Sequence, residues 1–206
     1  MFRIMLIYTI LQGALMAIEE PNYIVVQTND TYEIRKYNSY LVAQTKVSGS
    51  FDEMGKKAFN ILFKYISGEN KKREKIKMTA PVIQENAKRK GQKISMTAPV
   101  IQEMDKTNTK SATYSFVMPE KFTMETLPLP LNESIKLVKI PQKILAVREY
   151  SGNWSEEKYE KNEQILLNAL KSAGIEIIGN PTFARYNSPF SLWFLRRNEI
   201  MVEVKQ

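Results

Sequence analysis

A stretch of twelve residues recurs 103 positions further along the chain. Val42 to Glu53, with Ser48-Gly49-Ser50-Phe51 at its centre, is echoed by Leu145 to Glu156, with Ser151-Gly152-Asn153-Trp154. Each copy reads as a short apolar strand, then Ser-Gly, an aromatic residue and an acidic helix start. Each helix then runs to a glycine, Gly68 or Gly174, the residue that most readily ends a helix. Strand-rich segments follow in both halves. Neither unit can bury its apolar face alone, so the two must share one sheet and one fold. The expectation is an α+β fold of duplicated β-α-β-β units, forming a twisted, barrel-like sheet flanked by two helices. Gly49 should superpose on Gly152, and Phe51 should fall near Trp154. With 206 residues, 43% of them hydrophobic, the chain can bury one good core and not two independent ones.

The periodicity predicts the first helix over Asp52–Ser67. Phe51, Met54, Ala58, Ile61, Leu62 and Tyr65 recur at three- and four-residue spacing and form the stripe that meets the sheet. Phe63 lies roughly 150° from the centre of that stripe at 100° per residue, and Phe59 lies near its edge. Lys56 and Lys64 flank this i, i+4 aromatic pair. A second apolar face bordered by cations suits an amphiphilic anion, although a covering loop would explain it equally well. The second helix is predicted over Ser155–Ala173. Ser155 is its N-cap, Glu156 and Glu157 lie in the first turn, and Tyr159, Leu166, Leu170 and Ala173 form the buried stripe.

A closer repeat separates the halves. Met78-Thr79-Ala80-Pro81-Val82-Ile83-Gln84-Glu85 recurs unchanged as Met96 to Glu103, joined by a polar link containing Gly91. Two β-rich runs with such a link suggest a hairpin with a long loop. A proline within each run suggests an edge or a bulge, because proline cannot donate to the ladder. Met78 and Met96 are then candidates to line a cleft, with plain core packing as the competing reading. Charge is concentrated here. Residues 71–93 hold nine Lys or Arg against two acids, nearly all of the net +8 of the chain. Such a patch attracts phosphate, carboxylates or an anionic membrane surface.

The chain has no histidine and no cysteine. No Ser-His-Asp or Cys-His nucleophile can be assembled, the usual zinc sites are excluded, and so are disulfides and thiol redox chemistry. A His- or Cys-ligated haem is excluded as well. Conventional side-chain catalysis is therefore not expected. Residues 1–17 read as a signal peptide: Arg3 supplies the charge, an apolar run follows, and Ala17 precedes acidic Glu19 and Glu20. Residues 18–206 would then form the mature domain, periplasmic or secreted in a bacterium, with a cytoplasmic protein as the alternative.

Five further segments carry a resemblance. Tyr32-Glu33-Ile34-Arg35-Lys36-Tyr37, Lys64-Tyr65-Ile66-Ser67-Gly68, Lys75 to Val82, Tyr186-Asn187-Ser188-Pro189 and Arg197-Asn198-Glu199-Ile200 occur in the order found in SOUL haem-binding proteins. From Pro21 to Val204 the chain resembles that family. The resemblance implies an eight-stranded twisted sheet with two helices, similar to gyrase-inhibitor-like effector-binding domains. It also implies non-covalent haem or tetrapyrrole binding, for carriage, buffering or sensing, by a monomer with no nucleic-acid partner. The implied site is an apolar cleft along the first helix, with Phe59 and Phe63 as wall and Lys56 and Lys64 near the propionates. Where some relatives carry a histidine proposed as an iron ligand, this chain has Lys36. Two other readings are a tetrapyrrole-modifying enzyme, and a protein- or membrane-interaction module using the basic hairpin 71–93.

Overall fold

The computed structural model describes residues 18–72, 91–108, 110–188 and 190–205. The elements follow in the order β1 (Tyr23–Thr28), β2 (Glu33–Tyr37), β3 (Tyr40–Ser48), α1 (Phe51–Ile66), β4 (Asn70–Lys71), β5 (Val100–Met104), β6 (Ser111–Val117), β7 (Leu129–Pro130), β8 (Ile135–Ile140), β9 (Lys143–Ser151), α2 (Glu156–Ser172), β10 (Thr182–Arg185), a 3₁₀ turn (Trp193–Leu195) and β11 (Arg197–Glu203). The expected signal peptide, Met78 and most of the basic segment lie outside the described residues.

The duplication is plain in the strand order. Nine strands pair as β1-β2-β9-β11-β10-β5-β6-β3-β8, every pair antiparallel. Outward from the β5–β10 seam, one half runs β5-β6-β3-β8 and the other runs β10-β11-β9-β2. β3 and β9 are both nine residues long and begin 103 positions apart. Gly49 and Gly152, which follow them, share positive φ values of 149° and 134°. The outermost strand of each half is exchanged: β2 precedes β3 in the chain but pairs with β9, and β8 precedes β9 but pairs with β3. Asn38 and Ser39 alone join β2 to β3, a link that reaches about 11 Å. In a flat sheet the six intervening steps would separate those strands by ~29 Å. The sheet therefore curls strongly into an open half-barrel, with β1 added as a ninth strand beyond the eight that the resemblance implies.

Both helices pack on the same face. α1 covers β3 and β6 through Met54, Ala58, Leu62 and Tyr65, and α2 covers β9 and β11 through Tyr159, Leu166 and Leu170. Ser50 precedes α1, and its backbone N–H and hydroxyl both donate to the Glu53 carboxylate, at 3.1 and 2.7 Å, which fixes the helix start. Ser155 caps α2 by accepting from the Lys158 N–H. Ala173, expected in the buried stripe, is exposed at the C-cap. Asn162 is buried instead, since it accepts from Arg148 Nε at 3.1 Å and donates to the Lys158 carbonyl at 2.8 Å.

The second Met-Thr-Ala-Pro copy departs from expectation. Met96 to Pro99 lie outside the sheet, but Val100 to Glu103 enter its centre as part of β5, paired with β6 on one side and β10 on the other. Pro99 causes no gap in the ladder because it precedes the strand, after a cis Ala98–Pro99 bond. The first copy, Met78 to Glu85, lies outside the described residues.

Candidate functional site

A cleft of about 560 Å³ runs along α1, across the seam between the two halves. Phe51, Gly55 and Phe59 form one wall, spaced by four residues and so on one helix face. Val100 and Tyr114, from β5 and β6, form the floor. Trp154, Arg185 and Asn187 close the far side. Phe51 and Trp154, the paired residues of the internal echo, thus face one cavity. Trp154 is fixed: its indole N–H donates to Asn198 Oδ1 at 2.8 Å, Asn198 donates to the Gly152 carbonyl at 3.1 Å, and the Arg196 guanidinium lies 4.3 Å from the ring centroid.

Alternation along the strands explains which polar groups reach this cavity. Phe183 and Arg185 are two apart on β10 and share the helix-covered face, as do Val100 and Gln102 on β5. Arg185 pairs across the seam with Val100, and its Nη2 donates to Gln102 Oε1 at 2.8 Å. Burial lowers its pKa from the ordinary arginine value, opposed by the nearby Tyr114 and Tyr150 hydroxyls. Burial pushes Tyr114 up to about 12. The hydroxyls of Tyr114 and Tyr150 and the Nε of Arg185 are shut off from solvent with no hydrogen-bond partner among the described residues.

The residues singled out in sequence are distributed unevenly. Lys56 and Phe59 line the cleft, Lys56 with an exposed side chain. Phe63 is 44% exposed and stacks on Phe59, centroids 5.6 Å apart and planes 13° from parallel; Phe59 in turn meets Phe116 edge-on. Lys64 lies eight residues beyond Lys56, ~12 Å along the helix, and is not among the lining residues. Met96 is 45% exposed and stands apart from the lining. Met78 lies outside the described residues. Sequence reasoning missed Arg185, Tyr114 and Gly55. Gly55 carried a signal, since a glycine inside a helix costs ~1 kcal/mol relative to alanine and calls for a reason. A Cβ there would sit 3.3 Å from Arg185 Nη1 and 3.7 Å from Tyr114 Oη.

On the opposite face, Glu199 is fully buried and satisfied. It accepts from Arg35 at 2.9 Å, Arg197 at 2.8 Å and the Tyr186 hydroxyl at 2.6 Å. Burial works against the charge on Arg35, but Glu199 and Tyr37 together outweigh this and raise its pKa above the ordinary value. This network links β2 to β11. Among the described residues no group of three acidic side chains is placed to hold a metal ion, and no helix is long and apolar enough to cross a membrane.

Comparison with known proteins adds lineage to this geometry. The chain is 27% identical to mouse "Heme-binding protein 2" over 203 residues, covering 92% of this chain and 91% of the relative. It is 26% identical to the human protein of the same name over 179 residues, covering 82% and 80%. Among solved structures, the EcmrR C-terminal domain superposes with a TM-score of 0.60 at 11% identity, covering 85% of this chain and 98% of that one. A hydrolase from Listeria innocua superposes with a TM-score of 0.50 at 10% identity, covering 92% and 93%. At such identities these two share the fold alone. The sequence model described as "SOUL heme-binding protein" matches residues 18–90 and 83–203, so the chain belongs to the SOUL heme-binding protein family.

Proposed function

We propose that this chain binds a tetrapyrrole non-covalently, for carriage, buffering or sensing, in the cleft along α1. The observation that carries the reading is the cleft itself, in a member of a haem-binding family. It has a volume of about 560 Å³, within the ordinary range for small-molecule sites, and is walled by Phe51, Phe59 and Trp154. Those rings suit the faces of a flat apolar macrocycle, whose burial would supply most of the affinity at ~25 cal/mol per Å² before binding costs. Lys56 stands at the rim for an acidic substituent, and Lys64 lies further along the same helix. None of the lining residues is His, Cys or Met, and the hydroxyl of Tyr114, which does line the cleft, is kept protonated by burial, so shape and apolar contact take precedence over iron ligation.

Spectrophotometric titration with haemin and metal-free protoporphyrin tests this. The two should bind within about tenfold of each other, ~1.4 kcal/mol. A large preference for the iron form would show that a side chain ligates the metal, and would overturn the reading of a shape-driven cleft. Export belongs to the same proposal: residues 1–17 act as a leader, and the mature chain begins at Ile18. N-terminal sequencing of protein from a bacterial envelope fraction checks this, and an intact Met1 on cytoplasmic protein would refute it.

A further inference from the structure

Among the described residues Arg185 has no close counter-ion: no carboxylate lies within ion-pair distance of it. Asp52, at the cleft mouth, acts on it only at longer range. The guanidinium sits among three rings, 4.6 Å from the centroid of Phe183, 5.3 Å from Trp154 and 5.7 Å from Phe51. Ring faces attract the charge but leave most of its N–H groups without an acceptor. Only Nη2 has one among the described residues, in Gln102, while Nε is buried with none. Tyr114 Oη, also without a partner among those residues, borders the same point of α1, where Gly55 leaves both groups room.

A half-buried guanidinium whose Nε is sealed from solvent, and a buried hydroxyl, cost free energy when left unsatisfied, and a protein retains them only where something repays it. Both groups line the cleft, and both can donate. What completes such a set is an acceptor that is itself negative, and the planar fork of an arginine matches a carboxylate.

We infer that Arg185, assisted by Tyr114, is the anchor for a carboxylate on the bound molecule, so that the ligand enters the cleft acid group first. This rests on the reading of the cleft as a tetrapyrrole site and adds to it a ligand class and an orientation. The occupant is an acid, and its carboxylate lies at the floor beside the β5–β10 seam. Rim lysines are left for any second acidic group. Gln102 is a positioning residue: 1% exposed and held between β6 and β10, it fixes the guanidinium through Nη2.

Protoporphyrin IX and its dimethyl ester share one macrocycle and differ in charge, so the ratio of their dissociation constants reads the anchor directly. The wild-type protein should favour the free acid by at least tenfold. Arg185→Met should reduce that ratio to within about threefold, and Tyr114→Phe, which removes only a hydroxyl, should reduce it severalfold. Tyr114→Phe also keeps the test open if Arg185→Met fails to fold. Equal binding of acid and ester by the wild type, or an unchanged ratio in both variants, overturns the anchor and leaves the cleft standing. Binding of neither form overturns the reading of the cleft, and the anchor with it.

Discussion

At the scale of single residues, the contrast between Phe63 and its neighbours is the most informative. Phe59 packs edge-on against Phe116 in the core, whereas Phe63 is nearly half exposed and stacks on Phe59. Substituting Phe63 should therefore leave the fold almost unchanged, within ~0.5 kcal/mol. A stacked aromatic pair contributes ~0.5–1.5 kcal/mol, so losing the ring that orients Phe59 should weaken porphyrin binding roughly two- to tenfold. Phe63→Asp, followed by urea denaturation and by titration with haemin and protoporphyrin, checks both halves of this expectation. The helical period placed Phe63 off the core stripe. It could not place Arg185, because nothing local to Phe183-Ala184-Arg185 distinguishes a cleft cation from a solvated edge arginine. That distinction arises from Gly55 and Tyr114, which lie far away in sequence.

At the scale of elements, the start of α1 is set by a few side chains and is sensitive to pH. The Ser50 hydroxyl and backbone N–H hold the pKa of the Glu53 carboxyl below its ordinary value. A group depressed in the folded state contributes stability above its unfolded value and loses it as pH falls through the folded one. Glu53→Ala should thus lower the melting temperature at neutral pH, and the gap to wild type should close below the carboxylate range. Melting curves across that range check the prediction; a gap independent of pH would point to helix propensity alone. The caps, the terminal glycines and both helix spans were legible in sequence to within a residue or two, because they depend on neighbours within one turn. The strand after Pro99 was not. A proline reads as an edge signal, but here it lies just outside β5, and strand position is decided by partners 10 to 80 residues away.

At the scale of the whole molecule, the exchanged strands β2 and β8 tie the halves together, and buried charge reinforces one of those ties. Arg35 on β2 and Glu199 on β11 pair at 2.9 Å with side chains 4% and 0% exposed, separated in the sheet by β9. Removing one partner of such a pair leaves an uncompensated buried charge, at ~3–5 kcal/mol. Glu199→Gln should destabilise the protein by about that amount in urea, whereas Tyr186→Phe, which deletes one hydrogen bond to the same carboxylate, should cost ~1 kcal/mol. Near-equal losses would mean that the hydrogen bonds, and not the charge, hold the network.

The sequence by itself determined the duplicated unit, the two helices with their caps, the family, and the exclusion of histidine and cysteine chemistry. These follow from composition and from periodicities shorter than a few turns, which physical chemistry reads locally. Only the tertiary structure decided that β2 and β8 change sides, that Val100 to Glu103 of the second Met-Thr-Ala-Pro copy lie at the centre of the sheet, and that Phe51 and Trp154 meet across one cleft. It also decided that Arg185 has no carboxylate within ion-pair distance among the described residues. Pairing and burial are properties of chain segments brought together over a hundred residues, and an unsatisfied charge is defined by what fails to arrive beside it.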